Sequence, residues 1–187
     1  MKTVTPLLSA ALLLAACVEA PAAGRPGDAV TQAIEAGGKF VGVQGPKIPQ
    51  APPFLGVADT NFHVLRSWID RRTGETAHQL YVEDSYSGRK REWNAARDGD
   101  GRALRFIAIS QNEIACSPGC SYAEEFAAAL PEDELRSHPQ GLTVFFTAKS
   151  GEQMAIPVAG PLIAQQLAAV DAAKRASAAA VQSGSTR

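Results

Sequence analysis

The chain has no long run of lysines and arginines, the longest being Arg89-Lys90-Arg91, and 18 basic residues stand against 19 acidic ones, for a formal net charge of -1. That balance excludes a polybasic nucleic-acid binder, which needs a clustered positive footprint. Cysteines number only three, too few for a small scaffold held together by many disulfides. No apolar stretch beyond the first residues is long enough to cross a bilayer as a helix. The Gly-x-Ser-x-Gly and His-Glu-x-x-His patterns are both missing, so no hydrolase or zinc-protease motif announces a chemistry. What is there is a chain of 187 residues, 45% hydrophobic, enough for one domain with appendages.

The most informative segment is the first one. Met1-Lys2 supplies a short positive start, and Val4 to Leu14 is an apolar run broken by small polar residues and Pro6. Its length suits the hydrophobic region of a signal peptide over residues 1–16, with small residues Ala15 and Ala16 at the cleavage site. The following residue is Cys17. Leu14-Ala15-Ala16-Cys17 resembles the lipobox of bacterial lipoproteins. That resemblance covers four residues and the apolar run, and it implies that the Cys17 thiol carries a diacylglycerol and that its new amino group is acylated after cleavage. Several chains are needed because one acyl chain holds a bilayer only marginally. Val18 rather than Asp follows the cysteine, which in that family favours the outer membrane over retention in the inner one. The expected partner is therefore the lipid bilayer, and the expected location is the cell envelope, facing the periplasm.

Residues 17–53 are rich in proline and glycine and read as an extended tether. Asp28 is placed to cap a short helix over Ala29–Ala36, stopped by Gly37-Gly38. From Phe54 the pattern becomes short alternating runs separated by turn residues, and residues 54–175 read as the folded domain. Asn61–Arg71 and Ala77–Ser85 flank a hairpin turn at Arg72-Thr73-Gly74-Glu75, Lys90–Arg97 is a weaker strand, and Asp98-Gly99-Asp100-Gly101 turns into Ala103–Ala115. Leu142–Ala148 and Gln153–Val158 pair across Lys149-Ser150-Gly151-Glu152. Ser121–Leu130 fits two patterns: Ser121 with Glu124 is a capping box, yet Tyr122, Glu124, Phe126, Ala128 and Leu130 alternate as in a strand. Pro131 would cut a helix short there, which favours the strand, with a helical turn over Pro131–Ser137. Leu162, Ile163, Gln166, Leu167 and Val170 recur at helical spacing behind Pro161. The stripe thins after Val170, so residues 176–187 are expected to be a disordered tail. The resulting class is mostly β: an antiparallel sandwich or partly closed sheet of six to seven strands with a C-terminal helix.

Few residues invite a chemical role. If Thr73-Gly74 centres its hairpin, Ile69 faces His78 and His63 faces Asp84, and the two histidines lie roughly 20 Å apart at ~3.3 Å per residue. They then share no metal, and no cofactor is expected. His138 precedes Pro139 in a loop with no evident partner. Glu124-Glu125 and Glu132-Asp133-Glu134 read as solvated acidic faces, since adjacent residues on a strand or turn point apart. Cys116 and Cys120 flank Ser117-Pro118-Gly119, a natural tight turn, and after export such a pair forms a disulfide that shapes the turn. The spacing also resembles the Cys-x-x-x-Cys copper site of copper-chaperone lipoproteins, whose family pattern adds a distal histidine and a thioredoxin-like core. The reading is a non-catalytic envelope lipoprotein with a β-rich binding or structural domain; the alternative is a copper-binding or thiol-redox lipoprotein acting through Cys116 and Cys120.

Overall fold

In this computed structural model the described residues are 32–36 and 38–184. The signal peptide, the lipobox and Cys17 lie outside them, as do the last three positions of the expected tail. The described chain is mostly β, with two antiparallel sheets and a C-terminal helix. In order along the chain, β1 (Gln32–Ala36), β2 (Phe40–Gln44) and the two-residue β3 (Ile48–Pro49) lead through a 3-10 turn at Phe54–Gly56 into β4 (Phe62–Asp70) and β5 (Thr76–Ser87). Then come β6 (Trp93–Arg97), β7 (Ala103–Leu104), β8 (Phe106–Cys116) and β9 (Cys120–Leu130). The helical turn α1 (Glu132–Ser137), β10 (Gly141–Ala148), β11 (Gln153–Ala159) and helix α2 (Gly160–Gly184) complete it. Sheet A has the order β1-β2-β4-β5-β9-β8 with β3 beside β4, and sheet B the order β11-β10-β6-β7.

Alternation explains which face each strand buries. Leu65 on β4, Leu80 and Val82 on β5, and Phe126, Ala128 and Leu130 on β9 point inward from sheet A. Val144, Phe146, Ile156 and Val158 answer from sheet B. The Phe126 and Phe146 rings meet edge-on at 4.9 Å, a favoured aromatic geometry that locks the two sheets face to face. Sheet B does not reach β2, and α2 covers that part instead: Val170 packs with Val41, Val43 and Ile69, while Ile163 and Leu167 join the main core. The buried stripe of α2 is the one its spacing predicted. Helix formation continues past 176, where a tail was expected, because Ala176 and Ala178–Ala180 are strong helix formers even without an apolar stripe.

Three further expectations are corrected. The segment 32–49, assigned to the tether, is sheet: Gln32–Ala36 is a strand rather than the end of a helix, and it pairs with β2 in a hairpin around Gly38, whose φ is +74°. Val41 and Val43 alternate into the core beneath α2, and that burial outweighs the surrounding chain-breakers. Secondly, the β4–β5 register is two residues off the expected one, with Ile69 opposite Thr76, Ser67 opposite His78 and His63 opposite Val82. The Asp70 carboxylate accepts the amides of Arg72 and Thr73 at 2.8 and 3.1 Å, which tightens the turn one step toward β4. An even slip leaves every side chain on its expected face. Finally, in the turn between the cysteines Ser117–Pro118 is cis and Gly119 is not left-handed, so the turn there is not the ordinary proline–glycine type.

The start of α2 is set by a contact that admits no side chain. A Cβ at Gly160 would lie 2.1 Å from the Pro139 carbonyl oxygen. Docking of the helix further along depends on Leu167. We expect Leu167→Ala to cost about 2–4 kcal/mol by the cavity it leaves, read as a lowered melting temperature; an unchanged melt would show that α2 contributes no packing. Gly160→Ala should be at least as damaging, although it removes no contact.

Candidate functional site

A buried polar cluster lies between the beginning of β6 and the inner face of sheet A. Alternation along β5 puts Asp84 in the inward row of Leu80, Val82 and Tyr86, and alternation along β9 puts Glu124 in the row of Tyr122 and Phe126. Both acids are buried, and each is fully engaged. Asp84 accepts from the Arg91 guanidinium at 2.7 and 2.9 Å and from the Trp93 indole N–H at 2.7 Å. Glu124 accepts the amides of Glu92 and Trp93 at 3.0 and 3.1 Å and a short bond from the Tyr86 hydroxyl. Burial alone would raise the Glu124 pKa. The bonds from Tyr86 and the two amides outweigh it and hold the carboxyl below its ordinary 4.5. The same contact, added to burial, pushes the Tyr86 phenol far above its ordinary range. A carboxylate so fully satisfied is a poor proton donor or acceptor; its work is to fasten the 88–93 segment to sheet A.

Beside this cluster the two sheets part. The chain passes from sheet B to sheet A within one nearly continuous strand, β7 into β8, across Arg105. The Arg105 carbonyl accepts the Ala129 amide at 2.9 Å. Beyond that crossing β6 and β8 diverge and leave a cavity of about 460 Å³, lined by Trp93, Phe106, Phe126, Ser110, Glu92 and Lys149 among others. The Phe106 ring stacks on Phe126 at 5.8 Å and the Trp93 ring packs tilted against it at 5.3 Å, and together they form an aromatic floor. β8 pairs with β9 alone. Because Arg105 bonds toward β9, alternation turns the main-chain groups of Phe106 and Ala108 away from it, onto an open edge.

That edge has unusual protection. Two register shifts interrupt the β8–β9 ladder, between Ala108 and Ser110 and between Glu113 and Ala115. The extra residues are Ile109 and Ile114, exposed by 40% and 52%. Bulges bend an edge and limit pairing with another sheet. Glu113 is the one charged side chain on β8, whereas the opposite edge of sheet B carries Pro157.

The residues singled out in the sequence fall elsewhere. Cys116 and Cys120 are joined in a disulfide and face each other across β8 and β9 at the hairpin tip. The His63–Asp84 pair does not form, because the register shift places Val82 opposite His63 and gives Asp84 to Arg91 and Trp93. His138 does find partners: its Nδ1 lies 2.8 Å from the Glu134 carbonyl. The acidic stretch at α1 is ion-paired rather than simply solvated. Glu132 contacts Arg136 and Lys174, and buried Glu134 makes a short contact with Arg102. Glu124 and Glu125 do diverge, to opposite faces of β9, but Glu124 is buried rather than solvated. Among the described residues no group of three or more His, Cys, Asp or Glu side chains is placed to hold a metal ion.

One arrangement was not foreseen. Ser67, His78 and Glu132 stand in line: Ser67 Oγ is 2.8 Å from His78 Nδ1, and His78 Nε2 is 3.5 Å from Glu132. The order imitates a nucleophile–base–acid triad with the ring reversed. However, Ser67 is 1% exposed, and its oxygen already accepts a bond from Gln166 Nε2 at 2.9 Å, while Gln166 also donates to the Val43 carbonyl. The Glu132 carboxylate can only accept, so Nε2 is the protonated nitrogen facing it, and in the neutral ring Nδ1 accepts from the Ser67 hydroxyl. The chain of bonds ties α2 to β2, β4, β5 and α1, and no substrate atom can approach Ser67.

No protein-family model, curated protein or solved structure matches the chain.

Two buried histidines give the fold a pH signature. Burial holds His63 below its ordinary 6.5. Burial also lowers His78, and the contact with Glu132 offsets this only in part. The unfolded chain therefore takes up these protons first, so stability is complete above pH 6.5 and declines as pH falls through that value. Glu124, with its lowered pKa, adds a further loss only below 4.5. Calorimetric melts across this range should show the decline, and His63→Leu should make it shallower while His78 keeps its share; a melting temperature that holds constant from neutral to mildly acid pH would contradict the assignment. Tyr86→Phe should cost about 1–3 kcal/mol, because it leaves buried Glu124 short of a donor.

Proposed function

We propose that the protein is a non-catalytic lipoprotein of the bacterial cell envelope, held in the outer membrane by acylated Cys17 and presenting its β-rich domain to the periplasm as a binding or structural module. The observation that favours binding is the open edge of β8 beside the cavity between β6 and β8. Outward-turned main-chain groups, an aromatic floor and the bulged Ile109 meet there. Ser110, which lines that cavity, has a buried Oγ without a hydrogen-bond partner. Edges of this kind bind extended segments by adding a strand, with main-chain bonds giving affinity and pockets giving choice of side chain. Glu124, the buried acid that lines the cavity, is committed to holding the fold, which favours recognition over turnover.

The anchoring part is tested by fractionation. Cys17→Ser should yield an uncleaved or soluble species that leaves the membrane fraction; a normally processed mutant that stays in the membrane would remove the lipoprotein reading. The copper or thiol-redox alternative draws its support from the placement of the Cys116–Cys120 bridge at the exposed end of the β8–β9 hairpin. Thiol titration of the purified protein should find Cys116 and Cys120 oxidised. Replacing both with Ser should lower the melting temperature modestly, by roughly 2 kcal/mol of stability for so small a loop, and leave the domain folded. Stoichiometric, tight copper binding to the reduced protein in calorimetry would promote the alternative.

A further inference from the structure

The opening beside β8 is a wedge. β6 pairs with β7 only at Ala96 and Arg97, so the opening is closed at Leu104 and widens toward Ser110. Both flanks depart from regular strand. Asn94 is an extra residue where β6 pairs with β10, and Ile109 is one where β8 pairs with β9. Glu92, at the rim, has a left-handed φ of +58°. It is held there by its amide, which donates to Glu124, and by its carbonyl, which accepts the Lys149 amide at 3.0 Å. A glutamate in that region of backbone space is strained. Strain and bulges of this kind gather where a protein is shaped for a ligand.

The edge itself limits what can enter. Phe106 and Ala108 stand opposite Ala128 and Phe126, so their side chains point into the sandwich while their main-chain groups point away from β9. A row of such donors and acceptors is matched by another extended peptide backbone. Antiparallel pairing is the more stable arrangement, and in it a partner residue exchanges two bonds with Ala108 and a second one does so with Phe106. The side chains of those two partner residues then point to the cavity side as well. Ala108 contributes only a methyl group beside about 460 Å³ of space over the aromatic floor, so the residue opposite it has room for a large apolar side chain. Opposite Phe106 the wedge is narrow and a ring already occupies it, which leaves room for a small residue. Exposed Arg105 stands at the narrow end of this stretch and exposed Glu113 beyond the wide end. Those charges complement a segment with a basic residue ahead of its anchor and an acidic one behind.

We propose that the β8 edge takes an extended segment of another protein, antiparallel to it, with a large apolar anchor opposite Ala108 and a small residue two places later opposite Phe106. This rests on the binding reading of the same edge and adds which segment the edge selects. Main-chain bonds supply the grip, and the cavity over Ala108 supplies the choice. Nearer occupants fit less well. Residues 18–31 and 185–187 include no apolar side chain larger than valine, so neither stretch supplies the anchor. A second copy offering the same strand could present only Phe106–Ala108, since its chain leaves for sheet B at Arg105 and bulges at Ile109.

The test titrates the full chain, purified in detergent, with the capped peptide Lys-Thr-Thr-Thr-Phe-Thr-Ala-Asp and with a set in which the Phe is replaced in turn by every other residue type. Backbone amide NMR reads the site. The signals of Phe106 and Ala108 should shift with peptides that carry a large apolar anchor, while those of the turn at residues 71–75 stay in place. Changing the Phe to Asp, changing the Ala to Trp, or methylating the Phe nitrogen should each weaken binding about tenfold or more. Equal shifts at Phe106 and Ala108 whatever residue stands at the anchor would overturn the selectivity and leave strand addition standing. Unmoved signals at Phe106 and Ala108 with every peptide of the set would overturn this inference and the binding reading of the edge together. Signals at residues 106–110 that depend on protein concentration without any peptide would make a second copy the occupant and overturn the partner assigned here.

Discussion

The junction of the two sheets depends on a single carboxylate. Glu124 projects from the inner face of β9 and accepts the main-chain amides at the start of β6, so it performs for sheet B what a neighbouring strand would otherwise do. Removing a charge from water is costly, and only a full set of donors makes the position tolerable. Tyr86, Glu92 and Trp93 supply that set, and Asp84 repeats the device with Arg91 and the Trp93 indole. Trp93 then carries the consequence inward: its ring packs against Phe126, which meets Phe146 across the sandwich. The aromatic core is thus positioned by a polar clasp at its rim, and the adjoining cavity exists because the clasp holds β6 where β8 cannot follow.

Much of the architecture is legible in the sequence because its strands alternate and its hairpins carry turn residues. β5, β9, β10 and β11 bury the residues their periodicity selects, and α2 buries Ile163, Gln166, Leu167 and Val170 as its spacing requires. The ambiguous segment at 121–130 is a strand, paired on both sides by β5 and β8. What escapes reading is non-local. β1 to β3 are short and set among glycines and prolines, and they exist because Val41 and Val43 find α2 more than a hundred residues away. The two-residue slip of the β4–β5 register comes from the Asp70 side chain closing its own turn, a local bond that composition does not reveal.

The candidate site is less legible than the fold, for a related reason. An acid inside an otherwise apolar inward row, as Asp84 is between Val82 and Tyr86, is a usable signal of a buried polar cluster. It does not identify the partners, which come from a loop. The bulges at Ile109 and Ile114 leave no mark in the sequence at all, because β8 alone reads as one long strand. Only its pairing with β9 shows two residues too many. The same bulges temper the open edge: they break β8 into short lengths and discourage long edge-to-edge pairing.

The place where the chain enters sheet A also has a mechanical meaning. β1 is an edge strand with five residue pairs to β2. Tension applied at Gln32 along the strand axis would load those five pairs in shear and all together. The same pull directed across the strand would open them one after another, as a zipper opens. The strength of this edge is therefore set by the direction of pull as much as by the number of its bonds.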